Sequence, residues 1–328
     1  MKRVLLFSFI IIAIACNPDP DPDPDDNKKD PSIYLDTNGI TIKCPDAYVG
    51  YKQVVNGKEY TVVDRQMIRD MFLNGEDLGL VCTSLIAAFG KLFMYDMDSL
   101  VSSGEVLSSR DPECPRSLYF DPRCGDPFPE NNSFIIYAPP NARTEGGCVG
   151  TGVGNCLTAT FNDDISSWDT SRAVNMESLF INFMSFNQDI SNWDTSNVKN
   201  MYQMFSAAPA FNQGIGKWDV SSVTNMGNMF ATAFSFNQDI GNWDVSNVTQ
   251  MYGMFRNTMY FNQDIGKWDV SSVYSMDSMF ASARSFNQDL TNWCVENASN
   301  NYFTTNDGLG WPALEKENEP LWGTCPTP

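Results

Sequence analysis

Apolar residues recur with a fixed period along the second half of the chain. Phe161, Phe186, Phe211, Phe236, Phe261 and Phe286 stand 25 residues apart, and Trp168, Trp193, Trp218, Trp243, Trp268 and Trp293 follow each by seven. An Asn comes directly after every one of these Phe residues, from Asn162 to Asn287. A period of this length marks stacked units, each too small to bury its apolar face alone. Within one unit, Val198, Met201 and Phe205 fall at the spacing of an inward helical stripe, and Ser196 precedes them as an N-cap. The half from Phe186 to Trp193 fits a helix or a strand on spacing alone. Gly216, Gly241 and Gly266 in the equivalent half, with the Asp-x-Ser turn that follows, favour an extended segment. The expected fold class is α/β, a solenoid of strand-turn-helix coils.

Upstream, Ile40 to Lys43 predicts a short strand, and the extended runs on either side of Asn56-Gly57 predict a hairpin. Asp64 then offers an N-cap to a helix whose apolar face is Met67, Ile68, Met71 and Phe72, with Asn74-Gly75 as its stop. Residues 32–80 therefore read as a small ββα N-terminal cap. A unit of this size buries too little core to be a free-standing catalytic domain.

The N-terminus has a different pattern. Lys2 and Arg3 precede an apolar run from Val4 to Ala15, broken only by Ser8. As a helix this run would reach roughly 18 Å, short of the ~30 Å of a hydrocarbon core, so residues 1–15 read as an export signal. The small Ala15 before Cys16 resembles a bacterial lipobox, which implies lipidation of Cys16. An ordinary secretory signal is the alternative. Residues 16–31 alternate Pro with Asp and predict a stiff, solvated tether. A calcium loop is disfavoured there, because the glycine turn and ligand spacing are missing.

Composition narrows the chemistry. The chain of 328 residues has no histidine, which removes Ser-His-Asp and Cys-His catalysis and His-ligated zinc. A formal charge of −19 argues against nucleic acid and against polybasic membrane docking, leaving the N-terminal lipid as the membrane contact. No paired-carboxylate site or phosphate-binding glycine loop is evident, and neither enzymatic activity nor a cofactor or metal is expected. The carboxylates of Asp164, Asp189, Asp239, Asp264 and Asp289 line up by period, but Gly214 interrupts the row, which favours solvated surface over a cation site.

The repeated FNQDI-x-x-WD-x-S-x-V-x-x-M-x-x-MF resembles the BspA-like leucine-rich-repeat surface proteins, in their 25-residue lipoprotein variant. The resemblance is strong over 161–303. A weaker match covers Val81 to Phe93, with Ile86, Phe89, Leu92 and Phe93 in the apolar slots. It implies one short strand and one helical turn per coil, an outer-membrane, outward-facing location, and adhesion. The C-terminal Trp293-Cys294 and Trp322 to Pro326 look like the family's ending, so 304–328 reads as a C-terminal cap. Residues 81–160 then hold a first degenerate coil followed by a Pro/Gly-rich insertion from 94 to 160 carrying Cys114, Cys124, Cys148 and Cys156. The spacing lacks C-x-x-C, so disulfides are favoured over zinc in an exported chain. Lipidation of Cys16 leaves eight cysteines. Cys44 with Cys82 would tie the cap to the first coil, and Cys294 with Cys325 would close the other end, while the remaining pairs stay open.

Position +6 after each Phe reads Ser167, Asn192, Lys217, Asn242, Lys267 and Asn292. If the Phe-to-Trp half is a strand, side chains alternate and this row faces outward as a polar ridge roughly 24 Å long. Such a ridge suits extended polar ligands, and a merely solvated face is the alternative. The expected function is a non-catalytic adhesion or recognition module for a host or bacterial surface protein or glycan. A nutrient-capture lipoprotein for glycan or peptide, or a structural envelope protein, is the second reading.

Overall fold

The computed structural model of the protein describes residues 30–93, 161–300, 303–304 and 314–326, all but Asp30 within one compact unit, Pro31–Pro328. The signal segment, Cys16, most of the tether and the insertion with its four cysteines lie outside the described residues. Among the described residues, no helix is long and apolar enough to cross a membrane.

Strands β1 (Tyr34–Leu35) and β2 (Ile42–Lys43) pair antiparallel. Strands β3 (Lys52–Val55) and β4 (Lys58–Val62) form a hairpin in which Val55 faces Lys58. Asn56 and Gly57 both take positive φ between them, as a two-residue turn matching strand twist requires. Helix α1 (Arg65–Asn74) starts at Asp64, whose carboxylate accepts the Met67 N–H at 2.8 Å, and stops at left-handed Gly75. Ile68 and Phe72 are buried, and the Phe72 ring lies 4.7 Å from Phe93 and 5.6 Å from Phe161. The helix thereby covers the apolar end of the repeats. Strand β5 (Val81–Cys82) runs parallel to β4 and joins the hairpin to the first coil. The disulfide Cys44–Cys82 fixes that junction, and Cys294–Cys325 links the last repeat to the C-terminal segment.

From Ala88 onward, one parallel bridge per coil connects Ala88, Asn175, Asn200, Asn225, Gln250, Ser275 and Ser299 in turn. Rings at equivalent positions stack along the same direction. Phe161 and Phe186 lie 6.1 Å apart and Phe261 and Phe286 5.7 Å apart, nearly parallel in both cases. The second Phe of each coil sits on the first Phe of the next, as with Phe205 and Phe211 at 3.9 Å. These rings, the Trp row and the Met positions are buried in a single continuous core.

The backbone of each coil differs from the expected strand and helix. From Ser196 to Phe205 the chain makes successive β-turns instead of a helix. Met204 N–H reaches Met201 O, Ser206 N–H reaches Gln203 O, and Gln203 and Ala207 take positive φ. The reason lies in the destination of the alternate N–H groups. Met201, Gln203, Phe205 and Ala207 donate to Asn225, Gly227, Met229 and Ala231 of the next coil, bonds that an α-helix would have consumed internally. Three-residue turns place Val198, Met201 and Phe205 inward as well as a helix would. The Phe-to-Trp half is likewise not a strand among the described residues; the β-paired residue of each coil is the bridge residue in its second half.

Candidate recognition surface

Every coil presents a tight turn between the apolar residue at +4, Ile in five coils and Leu290 in the last, and Trp at +7. In the second coil, Trp193 N–H donates to Ile190 O at 3.1 Å, which leaves Ser191 and Asn192 at the turn's outer corners. The Asp at +3 caps it: Asp189 Oδ1 accepts Ser191 N–H at 2.9 Å, Asp239 accepts Gly241 N–H, Asp264 accepts Gly266 N–H, and Asp289 accepts both N–H and hydroxyl of Thr291. Hydroxyl and N–H bonds, from Ser191 in one coil and Thr291 in the other, hold the carboxyls of Asp189 and Asp289 below the usual carboxylate range. The carboxylates expected as solvated surface are exposed, and each of these also caps a turn. Glycine at +5 answers a close approach: a Cβ on Gly216 would run into the Asp239 carbonyl oxygen of the next coil.

The +6 row is carried by these turns, not by a strand face. Asn192, Lys217, Asn242, Lys267 and Asn292 are all exposed, whereas Ser167 is half-buried against the cap, its hydroxyl 3.3 Å from Gly79 O. The ridge accordingly begins at Asn192. Beneath it, the coils are held together by side chains. Asn162 Oδ1 accepts Asn187 N–H at 2.8 Å, and Asn187, Asn212, Asn237 and Asn262 repeat the bond one coil further on. Each Trp indole N–H from Trp193 onward donates to the +4 carbonyl of the preceding coil, as Trp218 does to Ile190 O at 3.1 Å. Periodicity places the Trp residues in the core but gives no sign of this bond, because its partner is a backbone atom 28 residues away.

The face that carries the bridges has no counterpart among the sequence-based expectations. Tyr202, Tyr252 and Tyr274 gather there with Lys199, Thr224 and Thr249, and none of them belongs to the conspicuous Phe and Trp rows.

Residues 155–238 and 210–307 match the family model described as "Mycoplasma protein of unknown function, DUF285". The repeat region is similar to that family. The two overlapping matches cover the six repeats, over which the parallel bridges from Asn175 to Ser299 run. No curated protein and no solved structure matches the chain.

Proposed function

We propose that this chain is a non-catalytic recognition module, a leucine-rich-repeat-like solenoid of the BspA-like kind, exported and held at the outer membrane by lipid on Cys16. Its partner is a host or bacterial surface protein or glycan. The observation that carries this reading is the exposed polar row Asn192, Lys217, Asn242, Lys267 and Asn292, repeated once per coil on turns fixed by a buried stack. Repetition gives an extended ligand several equivalent contacts at once, so that weak single contacts sum to useful avidity. In this half of the coil the side-chain bonds to the preceding coil run through the Asn at +1, the Gln at +2 and the Trp at +7, and the amides and ammonium groups at +6 are exposed.

The test is a binding screen of the protein against immobilised extracellular-matrix proteins and glycans, repeated with Asn192, Lys217, Asn242 and Lys267 all changed to Glu. The variant is expected to keep its circular dichroism and to lose about tenfold or more in affinity for whatever the wild type holds. Undiminished attachment by the folded variant would rule out the ridge as the binding surface.

A further inference from the structure

The bridge-bearing face is a second surface, distinct from the +6 ridge. Its centre is aromatic. Tyr202 and Tyr252 come from coils separated by a whole repeat, yet their rings lie 5.9 Å apart, close to the 6.0 Å between Phe186 and Phe211 of adjacent coils. Gly227, at the equivalent position of the coil between them, makes this possible: a Cβ there would stand 2.7 Å from the Tyr252 ring. Tyr252 thus leans across Gly227 onto Tyr202. Burial and the hydrogen bond to Tyr202 push the Tyr252 hydroxyl well above its usual range, so it stays protonated. Tyr274, 52% exposed, extends the platform, and its hydroxyl accepts from Gln250 Nε2 at 2.6 Å.

The polar groups around the rings are already paired within the protein. Thr224 and Thr249 hydroxyls donate to the carbonyls of Lys199 and Thr224, and Asn200 Nδ2 donates to Glu177, itself paired with Lys91 at 2.8 Å. Covering such a face costs little, because few donors lose water without a partner. A sugar, by contrast, needs free donors and acceptors at its hydroxyls. Tyrosine set among Thr, Asn and Gln is the composition of protein-binding surfaces, where rigid amphipathic rings supply contact area at low entropy cost.

Charge indicates the partner's sign. The four coils that carry the tyrosines and Gly227 each expose an Asp directly after the Trp: Asp194, Asp219, Asp244 and Asp269. Bonds from the Ser246 hydroxyl and N–H hold the Asp244 carboxyl below the usual range, so it is anionic at neutral pH. Lys199 adds a positive charge in the coil of Tyr202, outnumbered by these carboxylates. The whole chain carries −19. Tyrosine faces attract cations in their own right. We propose that the platform of Tyr202, Tyr252 and Tyr274, carried by coils that each also expose an aspartate, docks a basic protein surface whose arginine and lysine side chains lie over the rings.

Fluorescence anisotropy of the full chain with labelled oligoarginine tests this, alongside oligoglutamate of equal length and a neutral oligosaccharide. Tyr252→Ser, Tyr274→Ser and Gly227→Ala leave the net charge unchanged. Each is expected to weaken oligoarginine binding about tenfold, and the same Tyr substitutions are expected to act equally in the ridge variant with four Glu. Tyr274 is half exposed, so its variant is expected to fold whatever happens at Gly227. Equal binding by wild type and the Tyr variants would reduce the interaction to the field of the acidic body and overturn the proposal. Tyr-dependent binding of the oligosaccharide in place of oligoarginine would overturn it also.

Discussion

Replacing Trp243 with Ala is expected to lower the stability of the protein by about 3–5 kcal/mol. Trp243 is only 4% exposed and packs against Trp268 and Phe230, its ring centroid 6.4 Å from each. Truncation leaves a cavity in the middle of the stack, where coils on both sides are held by their own bonds and have little freedom to collapse. It also removes the indole donor from Ile215 O, a buried carbonyl then left without its side-chain partner. Leu321→Ala is the control, since Leu321 is 70% exposed, and its effect is expected within about 0.5 kcal/mol. Urea denaturation midpoints report both. Equal losses at the two positions would contradict the stacked core.

A second large loss is expected at the junction of cap and repeats. Asp169, with 4% of its side chain exposed, receives Lys43 Nζ at 2.6 Å, the Ser84 hydroxyl, and Ser171 N–H and hydroxyl at 3.1 and 2.7 Å. Burial raises the pKa of this carboxyl, but the bonds from Lys43, Ser84 and Ser171 outweigh it and hold the value below the usual range. Asp169→Ala removes the short ion pair of the Lys43 ammonium and leaves it the Ser171 hydroxyl at 3.0 Å and the Asp36 carboxylate at 4.0 Å, and is expected to cost about 3 kcal/mol. The sign of the pH effect follows from the lowered value. In the unfolded chain an Asp titrates at about 3.9, so on acidification the unfolded state takes up this proton first. The stabilisation is complete above that pH and is lost as the pH falls through the lower folded value. Asp169→Asn flattens the acid limb of a stability-against-pH curve in that window; an unchanged limb would mean that the pair contributes nothing.

The parts of the fold legible in the sequence are those written in side-chain type. Phe and Trp at fixed intervals announce a buried stack, because rings repeated in every unit are hidden together only when the units lie on one another. Asn56-Gly57 and Asp64 mark a turn and a cap whose backbone demands few other residues meet. The coil's backbone is not legible. Spacings of three and four describe a helix and a chain of three-residue turns equally well, and the choice is made by N–H groups that find the next coil. The bridge residues Asn175, Asn200 and Asn225 are polar and carry no strand signal, since their pairing depends on neighbours rather than on propensity. At the candidate surface, the period identifies which residues form the +6 row, while the reason they face outward is a capped turn and not strand alternation. The tyrosine platform needs the structure, because Tyr202 and Tyr252 meet only by virtue of the missing side chain at Gly227.

That the coils are equivalent units stacked in one direction is tested most directly by excising one. Deleting residues 211–235 joins Ala210 to Phe236 and preserves the register of every remaining Phe and Trp. Trp243 can then donate to Ile190 O, and Asn237 N–H to Asn187 Oδ1, in place of their present partners Ile215 and Asn212. Deleting only residues 211–222 destroys that register. Circular dichroism with urea denaturation is expected to show a folded, cooperatively unfolding chain after the whole-coil deletion and loss of structure after the half-coil deletion. Loss of structure in both would contradict the equivalence of the coils.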